Sequence, residues 1–175
     1  MSENQSYALW IIPAEEDAYA LTKRYIAKLS GMYDLPRFEP HVTVLGGVSD
    51  PDRAELRTLA DGLEPFQIRL AREVEYRDEY FRCLFLRAYK SDALMETFSR
   101  ASALFGRESE SYFPHLSLAY GNLPVWKKQE MIVELGPVPE ITFTAREIAL
   151  VHAAQEMPIE DWKVVERFPL AKTTK

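Results

Sequence analysis

Two segments of this chain repeat one pattern. Phe38-Glu39-Pro40-His41-Val42-Thr43-Val44 and Tyr112-Phe113-Pro114-His115-Leu116-Ser117-Leu118 both contain Pro-His-apolar-hydroxyl-apolar, with the two histidines 74 residues apart. This alternation has the period of a β-strand, in which residues i and i+2 share a face roughly 6.6 Å apart. His41 therefore aligns with Thr43 and His115 with Ser117, while Val42, Val44, Leu116 and Leu118 turn the other way, into a core. Each copy follows a strand and a helix, so the chain reads as a diverged internal duplication with two pseudo-symmetric lobes.

The remaining pattern supports that reading. Tyr7 to Ile12 is a short aromatic and aliphatic run stopped by Pro13, and Ala14 to Leu29 has helical spacing with Glu15, Glu16 and Asp17 in its first turn and Gly31 as its expected end. His41 to Leu45 is a strand closed by Gly46-Gly47, and a second helix opens at Ser49-Asp50-Pro51-Asp52 and runs to about Leu63. Phe66 to Ala71, Val74 to Tyr76 and Phe81 to Ala88 are strand material, with a hairpin as the simplest connection. Ser91-Asp92 caps a helix that ends at Gly106. After the second histidine segment come a helix at Val125 to Glu134 and late strands at Ile141 to His152 and Trp162 to Leu170. No glycine-rich βαβ turn is present, and short strands feeding antiparallel hairpins favour an α+β sandwich. One bilobal unit over residues 1–175 is expected, large enough to fold alone.

If the lobes meet about a pseudo-twofold axis, two imidazoles and two hydroxyls face one cleft. That set suits a phosphodiester. One histidine can take a proton from an attacking water, the other can give one to the leaving ribose oxygen, and the ordinary imidazole pKa of ~6.5 serves both. Thr43 and Ser117 would hydrogen-bond the non-bridging oxygens as charge grows there. With three histidines and one cysteine at no zinc-type spacing, no metal and no cofactor is expected.

The paired His-x-Thr/Ser motifs resemble those of the two-histidine (2H) phosphoesterase superfamily. Ala8-Leu9-Trp10 before Pro13, the block around His41, and His115-Leu116-Ser117-Leu118-Ala119-Tyr120-Gly121 look like the cyclic phosphodiesterase family of plants and yeast, over most of the chain. The resemblance implies a bilobal α+β fold that opens ADP-ribose 1″,2″-cyclic phosphate and nucleoside 2′,3′-cyclic phosphates without a metal. It makes His41 and His115 the catalytic pair and Thr43 and Ser117 the phosphate ligands. It also makes Tyr120 and Trp10 candidates for phosphate contact or base stacking. Sequence leaves the acid and base roles open, and the family analogy leans to His115 as base for water and His41 as acid.

Composition bounds the partners. The net charge of -6 repels a phosphate backbone at long range, so a small cyclic-phosphate nucleotide bound by a monomer is expected rather than long nucleic acid or a membrane surface. The mixed-sign run from Arg69 to Arg82 reads as a solvated hairpin, although Arg72, Arg77 or Arg82 could reach an anionic ligand. His152 lacks a hydroxyl two residues on and reads as a strand end. The lone Cys83, in an apolar strand, reads as a buried thiol in a reducing compartment. With no leader pattern in Met1 to Ser6, a cytoplasmic or nuclear location is expected. Lys172 to Lys175 reads as a frayed terminus. Two other readings stay open: an RNA-end 2′,3′-cyclic phosphodiesterase or ligase, and a nucleotide-binding module without turnover.

Overall fold

The computed structural model describes residues 6–107 and 111–171; the leader and tail expectations at 1–5 and 172–175 lie outside them. In chain order the elements are β1 (Tyr7–Ile11), α1 (Glu16–Tyr33), β2 (Val42–Val48), α2 (Arg53–Asp61), β3 (Phe66–Glu75), β4 (Leu84–Ala88), α3 (Asp92–Leu104), β5 (His115–Ala119), α4 (Val125–Leu135), β6 (Ile141–Ala145), β7 (Glu147–His152) and β8 (Lys163–Pro169). Two 3-10 turns lie at Tyr80–Arg82 and Ile159–Asp161.

All eight strands join one antiparallel sheet in the order β6-β3-β4-β5-β2-β1-β7-β8. The order is symmetric about the β5/β2 junction. There β1-α1-β2 on one side answers β4-α3-β5 on the other, as the duplicated motif implies. The two lobes share a single sheet, and the helices supply the second layer of the expected α+β architecture. The junction is thin, because Val42↔Leu116 is the one registered pair between β2 and β5. Other contacts close it. Helix α1 packs on β5 and α3 on β2, so each lobe's helix covers the other lobe's strand. Tyr112 donates its hydroxyl to the Thr43 carbonyl at 2.9 Å.

Strand alternation sorts the two faces. Leu9, Ile11, Val42, Val44, Leu116 and Leu118 are buried in the main core. Ala8, Trp10 and Ile12 turn to the opposite face and pack with Ala149, Val151 and Ala153. That opposite face carries the histidines.

Several boundaries move from their sequence positions. Helix α1 runs through Gly31 because Asp34 adopts the left-handed conformation (φ 53°) and its N–H closes on the Ser30 carbonyl. β2 continues through Gly46-Gly47, and α2 starts at Arg53, where the Asp52 carboxylate accepts from Ala54 N at 2.7 Å. The two segments expected at 66–76 are one strand with an irregular register between Leu70 and Val74. The strand expected from Phe81 begins only at Leu84, because Tyr80–Arg82 coils into a 3-10 turn. Ile141 to His152 is two strands broken at Arg146, and they pair at different places in the sheet: β6 with β3, and β7 with β1 and β8. One residue spans less than ~4 Å, so the sheet has to curl until its two ends approach each other.

Candidate active site

Each histidine follows a proline at the start of its strand, His41 immediately before β2 and His115 as the first residue of β5, and the two are held by the same device. His41 Nδ1 lies 2.6 Å from the Glu39 carbonyl and His115 Nδ1 lies 2.9 Å from the Phe113 carbonyl. A carbonyl only accepts, so Nδ1 carries the proton in both rings. In the neutral rings Nε2 is therefore left with its lone pair for a ligand.

Both histidines line a cavity of about 700 Å³, together with the other four residues singled out from sequence: Thr43, Ser117, Tyr120 and Trp10. The pseudo-symmetric positions are not equivalent. Trp10 pairs with Thr43 in register and lays its indole flat on His41, with ring centroids 3.5 Å apart and 6° between planes. Phe85 holds the matching position opposite Ser117, but meets His115 edge-on at 5.3 Å and 64°. His41 is 6% exposed, whereas His115 is half-buried. Burial holds the His41 imidazole far below its ordinary value, at about 3, opposed by the Glu39 carbonyl bond and assisted by the charge of His115. Burial also lowers His115, with Arg82 adding to the shift and the Phe113 carbonyl and Glu79 opposing it. The free site therefore departs from two ordinary imidazoles, and both rings favour the neutral form at pH 7.

The hydroxyls differ as well. Ser117 donates to the Phe81 carbonyl at 3.0 Å, so its proton is shared with the 3-10 turn, while Thr43 is more open to the cavity. Tyr120 is buried in an aromatic cluster, stacked on Phe38 at 3.8 Å, with its phenol pushed up by desolvation and hydrogen-bonded to Ser117. One face of Trp10 is taken by His41, so its indole supports that ring rather than offering both faces to a base.

Sequence reasoning missed Arg107, Phe81 and Trp162 as lining residues. Arg107 follows α3 and donates to the Gly46 carbonyl of β2, across the lobe junction. Phe81 and Trp162 face each other near parallel, 5.8 Å between centroids and 23° between planes, one from each lobe. Nothing in their local sequence marks them, because tertiary folding alone brings them together. His152 ends β7, its ring 5.2 Å from Tyr7, and is absent from the cavity lining. Among the described residues no three His, Cys, Asp or Glu side chains converge on a metal position, and no helix is long and apolar enough to cross a membrane.

The sequence matches the family described as cyclic phosphodiesterase-like protein over residues 5–170. The chain belongs to that family. A cyclic phosphodiesterase of Arabidopsis thaliana is 27% identical over 168 residues, covering 91% of this chain and 92% of the relative. The apo structure of Escherichia coli LigT superposes with a TM-score of 0.64 at 13% identity, covering 97% of this chain and 99% of that one. TT0787 of Thermus thermophilus gives 0.62 at 18% identity, covering 97% and 100%. The fold is thus that of the 2H phosphoesterases, and this cyclic phosphodiesterase-like protein is an enzyme of the phosphodiesterase class.

Proposed function

We propose that the protein is a metal-independent hydrolase that opens the cyclic phosphate of a small nucleotide, a nucleoside 2′,3′-cyclic phosphate or ADP-ribose 1″,2″-cyclic phosphate, to a phosphomonoester. The observation that carries this reading is the pair of Pro-His segments whose Nδ1 atoms are tied to backbone carbonyls, leaving two Nε2 atoms on one cavity beside Thr43 and Ser117. The Arabidopsis relative is named a cyclic phosphodiesterase, and LigT has been solved with 3′-AMP, which is the kind of product such an opening yields.

In this reading one Nε2 takes a proton from water as the water oxygen bonds to phosphorus. The bond from phosphorus to one ribose oxygen breaks, and the other imidazolium protonates that oxygen. Thr43 and Ser117 donate to the non-bridging oxygens, Ser117 by releasing the Phe81 carbonyl. A bound phosphate anion raises both imidazole pKa values, so substrate itself helps the site hold the one proton it needs. The enclosure of the rings supports the division of labour opposite to the family analogy. His41, flat against Trp10 and the more buried, is the neutral base, and His115, only half-buried, carries the proton.

Helices α1 and α3 bridge the lobes, so the chain is read as one bilobal unit, and it is proposed to work as a monomer. The buried free thiol of Cys83 fits a reducing cytoplasm. Phosphorus NMR of a 2′,3′-cyclic nucleotide with protein in EDTA tests the proposal. Conversion to a monoester by the wild type, and not by His41→Ala or His115→Ala, is expected. An unchanged cyclic signal, or activity lost on chelation, would overturn it.

A further inference from the structure

Beside His115 the cleft face continues into a concentration of positive charge. Arg87 pairs with His115 in the β4/β5 register, so the guanidinium side chain and the imidazole leave the sheet on the same face. Arg77 and Arg82 come to the same place from the β3–β4 connection. All three guanidinium carbons sit over the ring of Phe113, at 5.9 Å for Arg77 and 5.4 Å for each of Arg82 and Arg87. That ring is itself 5.7 Å from the His115 imidazole. Against a net charge of -6, three like charges on one aromatic platform are a local exception. Two of them are partly neutralised, Arg87 by Glu75 at 2.8 Å and Arg82 by Glu79 at 3.4 Å. Arg77 makes no ion pair among the described residues, and Arg82 reaches the cavity wall.

We infer that this cluster is a second anion subsite, which takes a further phosphate of the same small substrate while the cyclic phosphate lies between the histidines. The inference rests on the reaction proposed above and narrows its substrate class to nucleotides carrying a second phosphoryl group. Guanidinium forks match phosphate geometry, and the apolar floor under them limits competing water. A phosphate arriving there would draw Arg77 fully into play and compete with Glu75 and Glu79 for the other two. The cations are too few and too local for a long strand, which would need a stripe.

The test separates binding from turnover. Titration of the purified protein with adenosine 2′-monophosphate and with adenosine 2′,5′-bisphosphate is expected to show about tenfold tighter binding of the bisphosphate, a margin typical of one added charge-assisted contact. In the double variant Arg77→Gln/Arg87→Gln the ratio is expected to fall to about two or less. Arg77→Lys/Arg87→Lys should keep part of it, and thermal melting monitors the fold of each variant. Equal affinities in the wild type, or a ratio untouched by the glutamines, would overturn the subsite. Tighter binding still of a ten-nucleotide RNA ending in a 2′-phosphate would overturn its small-nucleotide form. Hydrolysis of the two corresponding cyclic compounds is followed in parallel. Failure to open either one counts against the proposed reaction, whereas the affinity ratio speaks only to the arginines.

Discussion

The imidazole of His41 lies parallel to the indole of Trp10, with centroids 3.5 Å apart and planes 6° apart. The contact removes one ring face from water and fixes the other degree of freedom left by the Nδ1 bond to Glu39, so His41 has one orientation. Replacing Trp10 by Phe should retain packing but lose part of the overlap, with kcat lowered several-fold and His41 titrating at higher pH. Trp10→Ala should also cost about 3 kcal/mol of stability. Imidazole NMR of His41 across pH in wild type and Trp10→Phe checks this, and an unmoved titration would count against the stacking role.

The two histidines should fail differently. Each alanine variant is expected to lose on the order of 10² to 10⁴ in kcat on a cyclic nucleotide, with melting temperature nearly retained for His115→Ala. An aryl phosphodiester has a leaving group that needs little protonation. His115→Ala should therefore recover most of its loss on that substrate and His41→Ala should not. The reverse pattern would return the base role to His115.

Activity should fall from the acid side. The site needs one proton between two imidazoles that are both held below their ordinary value in the free protein. As pH rises that proton is lost, so kcat/KM should decline already below about pH 6.5. The kcat profile should break at higher pH because bound phosphate raises both groups. Identical breaks in kcat and kcat/KM would contradict the coupling to substrate.

Stability should respond to acid as well. Between about pH 6.5 and 3 the unfolded chain protonates residue 41 and the folded chain does not. The unfolded state then binds more protons, and folding stability drops as pH falls, by up to about 1.4 kcal/mol per pH unit from this group, with His115 adding the same sign. Above that window the term is flat. Urea unfolding at pH 7, 5 and 4 should show His41→Gln losing less stability on acidification than the wild type.

Lys128 is 1% exposed and donates to the Arg77 carbonyl at 2.7 Å. The loop it grips is closed by Arg77 N on the Arg82 carbonyl, and it is tied to the second histidine segment through Gly121 N on Tyr80 O and Ser117 Oγ on Phe81 O. Lys128→Met should cost about 1 to 3 kcal/mol by removing a charge-assisted hydrogen bond to the part-buried Arg77 carbonyl. It should also weaken phosphate binding by loosening the Phe81 carbonyl that orients Ser117. A normal KM in a folded Lys128→Met protein would limit the lysine to stability.

Much of this was written locally. The period of two in Val42-Thr43-Val44 and Leu116-Ser117-Leu118 requires that hydroxyl and histidine share one face, because a strand offers no other arrangement once the apolar residues are buried. The duplication likewise sets two lobes, and the caps at Asp52 and Ser91 announce their helices. Sequence could not say that β6 and β7 separate at Arg146, since both halves of that run carry the same strand pattern and only their partners differ. Nor could it break the symmetry of the site. Trp10 over His41, Phe85 beside His115, and the burial that lowers one imidazole more than the other arise from side chains distant in sequence meeting across strands. The chain by itself thus determined which groups face the cleft, through local backbone periodicity. Their unequal environments, and the gathering of Arg77, Arg82 and Arg87 on Phe113, were decided by tertiary packing, because desolvation and charge depend on every neighbour the fold brings within reach.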